Sequence, residues 1–252
     1  MLKVNHLSHS YIKNNKVIDD ISFTLQEGKI NVLLGPNGIG KTTILKCLNG
    51  LIKVNEGEIL IDEKNINQYS SKELAKIIAY VEQSPRVDNL NVYETIMLGR
   101  TPYISFAPSK EDNKIVSDLI KKVHLEDLLH RDINTLSGGE KQKVMLALSL
   151  ATNSKILLLD EPTANLDIKN ALMVMDLIKE LTIKENLTVL ISMHDISLAY
   201  QYGDYFLCMK DQKIKYALNK KDLNSGVLQD IYDVNIVIDN DLIMIKGEKN
   251  NE

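Results

Sequence analysis

The chain has no excess of basic residues. Its 30 lysines and arginines are outnumbered by 34 aspartates and glutamates, for a formal net charge of −4. A nucleic-acid binder usually carries a basic stripe, so neither DNA nor RNA is an expected partner. There are only two cysteines, Cys47 and Cys208, far apart in sequence. They read as reduced thiols of the core, not as a disulfide framework. Long hydrophobic runs are absent: ILLL and IVI are far too short to cross a bilayer. The opening residues, MLKVNHLSHSYIKNN, lack the apolar core of a signal peptide. These absences point to a chain that is soluble in itself, which leaves a membrane partner open. Repeats and low-complexity blocks are missing as well. What remains is ordinary globular composition, 44% hydrophobic and 25% charged over 252 residues, enough for one large domain with a sizeable core.

The first 34 residues alternate as strands: LKVNHLSHSY, VIDDISFTL and KINVLLG, with a turn at EGK, residues 27–29. A helix over 41–51 follows a glycine-rich loop. A strand with a turn spans 57–66, a short helix 71–78 and a strand 79–83. From about 92 to 150 the period is helical, in VYETIMLGR, EDNKIVSDLIKKVHLEDLL and GEKQKVMLALSLA. The continuous apolar runs KILLLDEP (155–162) and LTVLISMHD (187–195) suit buried parallel strands. Helices over 171–185 and 196–203 and a hairpin over 206–218, turning at Asp211-Gln212, follow. The tail KGEKNNE reads as frayed. Strands alternating with helices predict an α/β fold: a mostly parallel P-loop NTPase core with an antiparallel β subdomain. The core and β subdomain are expected at about 1–85 and 153–252. A helical subdomain is expected as an insert at about 86–152.

GPNGIGKT, residues 35–42, matches G-x-x-x-x-G-K-[ST] and lies between an apolar strand and a helix, the context the motif needs. Gly35, Gly38 and Gly40 permit the tight turn. Together with Pro36, Asn37 and Ile39 they form a loop whose backbone N–H groups aim at phosphate oxygens, helped by the helix N-terminus. Lys41 is placed to bridge the β- and γ-phosphates, Thr42 to offer its hydroxyl to Mg²⁺, and Thr43 to reach the α-phosphate. The ligands implied are ATP and Mg²⁺. Asp160 ends a buried strand and can hold Mg²⁺ through water. Glu161 beside it can polarise an attacking water as general base. His194, after another apolar strand, can bond the γ-phosphate or that water. Gln83, ending AYVEQ, can touch Mg²⁺ or the water while sensing a neighbour. The remaining histidines read as structural or solvated.

In order along the chain, Tyr11, the loop 35–42, Gln83, LSGGE (136–140), ILLLDE (156–161), ANLD (164–167) and His194 resemble the nucleotide-binding subunit of an ATP-binding-cassette (ABC) transporter, over nearly the whole length. The resemblance implies a head-to-tail pair of cassettes, in which LSGGE of one copy covers the ATP on the other's loop. Ser137 and the N–H groups of Gly138 and Gly139 would then meet the partner's γ-phosphate. It further implies that Tyr11 stacks on adenine and that Asp167 contacts the opposite loop. His194 would position the γ-phosphate and water, Gln83 would link the site to a transmembrane subunit, and the helical insert would dock that subunit. A second reading of LSGGE is local: Ser137 caps a helix with Glu140 at its third position. Both can hold at once.

ETIMLGRTPY (94–103) resembles a stretch of importer ATPases for iron–siderophore, haem and cobalamin, the alternative being a helix end broken by Pro102. That branch implies a homodimer beneath permease subunits at the cytoplasmic face of the membrane, fed by an extracellular binding protein. Another ABC importer (zinc, manganese, molybdate) or a non-transport ABC ATPase is the alternative. The cargo itself touches none of these residues.

Overall fold

The computed structural model describes residues 1–12, 15–83, 89–239 and 242–248. In chain order the strands are β1 (Leu2–Ile12), β2 (Asn15–Thr24), β3 (Ile30–Leu34), β4 (Glu56–Ile61), β5 (Lys64–Asn65), β6 (Ile78–Val81), β7 (Ile156–Asp160), β8 (Thr188–Ser192), β9 (Tyr205–Lys210), β10 (Lys213–Asn219), β11 (Val234–Asp239) and β12 (Leu242–Glu248). The α-helices are α1 (Lys41–Leu48), α2 (Ser71–Leu74), α3 (Val92–Leu98), α4 (Lys110–Lys122), α5 (Gly138–Ala151), α6 (Ile168–Lys184), α7 (Ile196–Tyr202) and α8 (Ser225–Tyr232). They divide between two compact units, residues 1–68 with 188–252, and residues 69–187.

The first unit holds an antiparallel sheet, β2-β1-β4-β5, and the strand run β10-β9-β3-β8. In that run β3 pairs in parallel with both β8 and β9, while β9 and β10 form an antiparallel hairpin. The sequence INVLL of β3 and TVLIS of β8 is buried at every position, as strands covered on both faces require. Strand β10 alternates between exposed and half-buried, the pattern of an edge. Helix α7 packs on β3, and α8 packs on β9 and β11.

The second unit pairs β6 with β7 in parallel. Helix α5 packs against α3, α4, α6 and β6. Its buried Val144, Leu146 and Ala147, with Val92, Ile96 and Val116, form this unit's helical core. Full burial of a branched aliphatic side chain contributes about 1.5–3 kcal/mol. The helices of the expected insert, α3–α5, thus share a unit with β6, β7 and α6, and its expected start near 86 lies outside the described residues.

Several boundaries differ from the sequence reading. Helix α2 stops at Leu74, and β6 begins at Ile78, earlier than expected. Helix α4 ends at Lys122 because His124 takes φ 56, which an α-helix cannot contain. Helix α6 begins at Ile168, three residues before its apolar period starts, since Asp167 caps it. Residues 246–248 of the tail belong to β12, so the frayed reading fails there, and 249–252 lie outside the described residues. The hairpin turn at Asp211-Gln212 is as expected: both residues have positive φ, 50 and 62, as a type I′ turn demands. Cys47 and Cys208 are free and buried, and burial pushes both thiols up to about 12.

Candidate active site

The phosphate loop connects β3 to α1 in the first unit. Gly40 immediately precedes α1 at φ 112, and a Cβ there would lie 2.7 Å from the Val17 carbonyl oxygen, so the position excludes other residues. Helix α1 starts with no side-chain cap and no acid in its first turn. Every other α-helix among the described residues has one: Ser70, Asn91, Ser109, Ser137, Asp167, Asp195 or Asn224. The first N–H groups of α1 thus have no side-chain cap, and the helix end carries partial positive charge. Lys41 is buried, 5% exposed, and folds back into the loop. Its Nζ donates to the carbonyls of Gly35 at 2.7 Å and Pro36 at 3.0 Å. Pro36, Asn37, Gly38 and Thr42 are exposed, Ile39 is half-buried, and Thr43 is buried.

Parallel register brings His194 to the same end. Leu33 pairs with Ser192, and Met193 N–H donates to the Leu33 carbonyl at 3.3 Å. His194 and Gly35 each lie two residues beyond that pair, so an exposed imidazole stands beside the loop's start. Tyr11, at the end of β1, is 60% exposed, and its hydroxyl is 3.3 Å from Thr43 Oγ1. His9 meets the Tyr11 ring edge-on at 4.8 Å.

In the second unit the same rule applies to β6 and β7. Val81 pairs with Leu159, and Gln83 and Glu161 each lie two residues beyond. Gln83 Nε2 donates to Glu161 Oε2 at 2.8 Å. Glu161 has φ 46, a conformation that costs a non-glycine residue about 1–3 kcal/mol and that clusters at functional sites. Asp160 is 3% exposed, and Tyr80, which sequence reasoning missed, donates its hydroxyl to Asp160 Oδ2 at 3.4 Å. Only strand alternation in IAYV could have singled Tyr80 out, and that pattern does not say what its hydroxyl meets.

LSGGE is the start of α5. Ser137 is the N-cap and forms a full capping box with Glu140. Glu140 Oε2 accepts from Ser137 N–H at 2.8 Å and from its hydroxyl at 2.7 Å. These hydrogen bonds from Ser137 hold the Glu140 carboxyl below the usual range. The two glycines are constrained inside the chain too. A Cβ on Gly138 would sit 2.9 Å from Leu166 Cδ2, and one on Gly139 would sit 2.6 Å from Asn170 Oδ1. Asn170 is in turn fixed by Asp167, which accepts from its N–H at 2.7 Å and from Nδ2 at 2.9 Å. The LSGGE and ANLD segments therefore form one packed corner. ANLD's aspartate is exposed at the start of α6.

The stretch LGRTPY does more than end α3. Arg100 is buried and pairs with Asp112 of α4 at 2.8 Å, donates to the Ala151 carbonyl at 2.8 Å, and stacks on Tyr103 at 3.9 Å. Tyr103 donates to the Thr152 carbonyl at 2.8 Å. Hydrogen bonds from Ser109 and then Arg100 lower the Asp112 carboxyl to about 2. Three helices are thereby tied at one point.

The chain as a whole is similar to known proteins. A family model described as "ABC transporter" matches residues 18–164. An uncharacterised ABC transporter ATP-binding protein of Methanocaldococcus jannaschii is 38% identical over 240 residues, covering 95% of this chain and 94% of that protein. The petrobactin import ATP-binding protein YclP of Bacillus subtilis is 35% identical over 240 residues, covering 94% and 95%. Among solved structures, a dimeric ATP-binding cassette in a post-hydrolysis state bound to ADP and Pi superposes with a TM-score of 0.78 at 29% identity, covering 88% of this chain and all of that one.

Proposed function

We propose that this chain, which belongs to the ABC transporter family, is the ATP-hydrolysing subunit that energises import of a metal chelate, of the iron–siderophore, haem or cobalamin type, through a membrane permease. The observation that carries the ATP part is the uncapped start of α1, with a buried lysine folded into the loop before it. Loop N–H groups and the helix end bind the phosphates, and Lys41 exchanges its two carbonyl partners for β/γ oxygens. Tyr11, beside Thr43, is the adenine platform. Thr42, Gln83 and Asp160 offer a hydroxyl, an amide oxygen and a carboxylate, hard donors that suit Mg²⁺. When bound, the ion neutralises charge on the phosphates.

Glu161 takes a proton from the attacking water. The Gln83 amide donates to one of its oxygens, which orients the carboxylate toward that proton transfer. His194 steadies the γ-phosphate. Ser137, Gly138 and Gly139 reach the partner copy's γ-phosphate, and Asp167 reaches the partner's loop, so the site is complete only in the closed dimer. Closure and reopening drive the permease. No helix of the described residues is long and apolar enough to cross a membrane. In the transporter reading the chain works as a peripheral subunit at the cytoplasmic face. Its helical segment docks the permease, which an extracellular binding protein loads. The chelate assignment draws on the YclP relative and on the LGRTPY stretch.

The test is a tagged Glu161→Gln variant, purified from detergent-solubilised native membranes with ATP and Mg²⁺ and analysed by mass spectrometry. The expected result is a co-purifying polytopic permease, together with ATP binding intact and turnover reduced by about 10²–10⁴. Soluble partners alone would sink the transport reading, and normal turnover would sink Glu161 as base.

A further inference from the structure

The strand pairing that supports the phosphate loop ends at Leu34, opposite Cys208. The next N–H, that of Gly35, leaves the sheet and donates to the hydroxyl of Tyr232 at 3.1 Å. That tyrosine is the last residue of α8, an element the ATP chemistry above does not use. From this geometry we infer that the C-terminal helix sets the position of the phosphate loop, with Tyr232 as a positioning residue for nucleotide binding that acts through Gly35. The inference rests on the reading that residues 35–43 hold the phosphates of ATP.

Gly35 is held from two sides. Its carbonyl accepts from Lys41 at 2.7 Å, and its N–H is held by Tyr232. When the ammonium turns to a phosphate, the hold on the carbonyl is given up and the phenol remains. An N–H committed to Tyr232 is not one of the donors offered to a ligand, so what the phenol supplies is the loop's position. Burial raises the phenol's pKa, so it stays a neutral hydroxyl.

The helix carrying Tyr232 is itself anchored to the β9–β10 hairpin. Lys210 donates to the Asp230 carbonyl and lies 2.8 Å from Asp233 Oδ1. Lys215 lies 2.6 Å from Asp230 Oδ2, and Tyr216 donates to the same oxygen at 2.9 Å. Its own Leu228 and Ile231 are buried. A ring fixed on a helix tied at these points gives the Gly35 N–H a stationary acceptor, at little further cost in side-chain freedom.

The experiment compares the wild-type full chain with Tyr232→Phe, which keeps the ring and removes the acceptor. The remote variant Ile59→Val, in a buried position of β4, serves as a stability control. Titration with mant-ATP and Mg²⁺ is expected to show about fivefold weaker binding for Tyr232→Phe, the loss of one net hydrogen bond. Hydrogen exchange should show faster exchange at Gly35, while Ile59→Val binds as wild type. Wild-type affinity and exchange in Tyr232→Phe would overturn the inference, as would an equal affinity loss in Ile59→Val, since that would mark a general effect of stability. Asp230→Asn leaves the phenol in place and loosens the anchor. It should show a smaller loss in the same direction, and it decides the matter if Tyr232→Phe does not fold: unchanged affinity there overturns the inference. A wild-type chain that does not bind mant-ATP would refute the nucleotide reading instead.

Discussion

Two helices of this protein begin in glycine-rich sequence, and they begin differently. Helix α1, after GPNGIG, has no side-chain cap and a lysine folded into its approach. Helix α5, at LSGGE, closes its own first turn with a reciprocal Ser137–Glu140 box. The first has no side-chain cap and adds a positive charge, the arrangement proposed above to hold an anion within one copy of the chain. The second fills its cap with a carboxylate and sets its glycines against Leu166 and Asn170. A phosphate arriving there must meet backbone N–H groups beside a negative charge. Three glycines precede α1 and two open α5, but only α5 closes its start with a side-chain cap.

The sharpest way to break this contrast is Lys41→Ala. It removes the charge that distinguishes α1, and ATP affinity should fall by about a hundredfold, near 3 kcal/mol, in a titration of the isolated chain. Unchanged affinity would place the grip elsewhere. Next in size is Gly139→Ala. Its Cβ would press on Asn170 at 2.6 Å, so chemical denaturation should show a loss of about 1–3 kcal/mol. Ser137→Ala should cost about 1 kcal/mol of stability, the usual worth of an N-cap, and should slow turnover without weakening ATP binding to the monomer.

The smallest effect belongs to Glu140→Gln, which keeps the box and removes its charge. ATP-induced dimerisation, followed by light scattering, should tighten by a few-fold as one like charge leaves the neighbourhood of the partner's phosphate. Its pH behaviour follows from the lowered carboxyl. Because the folded pKa lies below the unfolded one, near 4.5, Glu140 stabilises the fold above 4.5 and loses that contribution as pH falls through the folded value. The Gln variant should therefore lose less stability than wild type on acidification below 4.5. Identical acid limbs would show that the box does not contribute.

The loop between β3 and α1, the acidic end of β7 and the capping box were legible as local structure because each is written in a few consecutive residues. The buried strands were legible for the same reason: INVLL, ILLLD and TVLIS are apolar at nearly every position. Boundaries set by a single residue, such as the Asp167 cap and the left-handed His124, were not, since apolar period is blind to them. Helix α8 and the β11–β12 hairpin went unread because their alternation is weak and their burial partial.

By itself, the sequence determined the α/β architecture, the glycine-rich loop between β3 and α1 and the capping box of α5, because these depend on local backbone geometry and on periodic burial. Tertiary structure alone decided which side chains meet. Parallel register, not spacing, sets Gln83 on Glu161 and His194 beside Gly35. Packing wedges Asn170 against Gly139 and brings Tyr232, 197 residues away, to the first N–H of the loop. Contacts of that kind are fixed by how covered strands and helices pack within each unit, and no run of neighbouring residues encodes them.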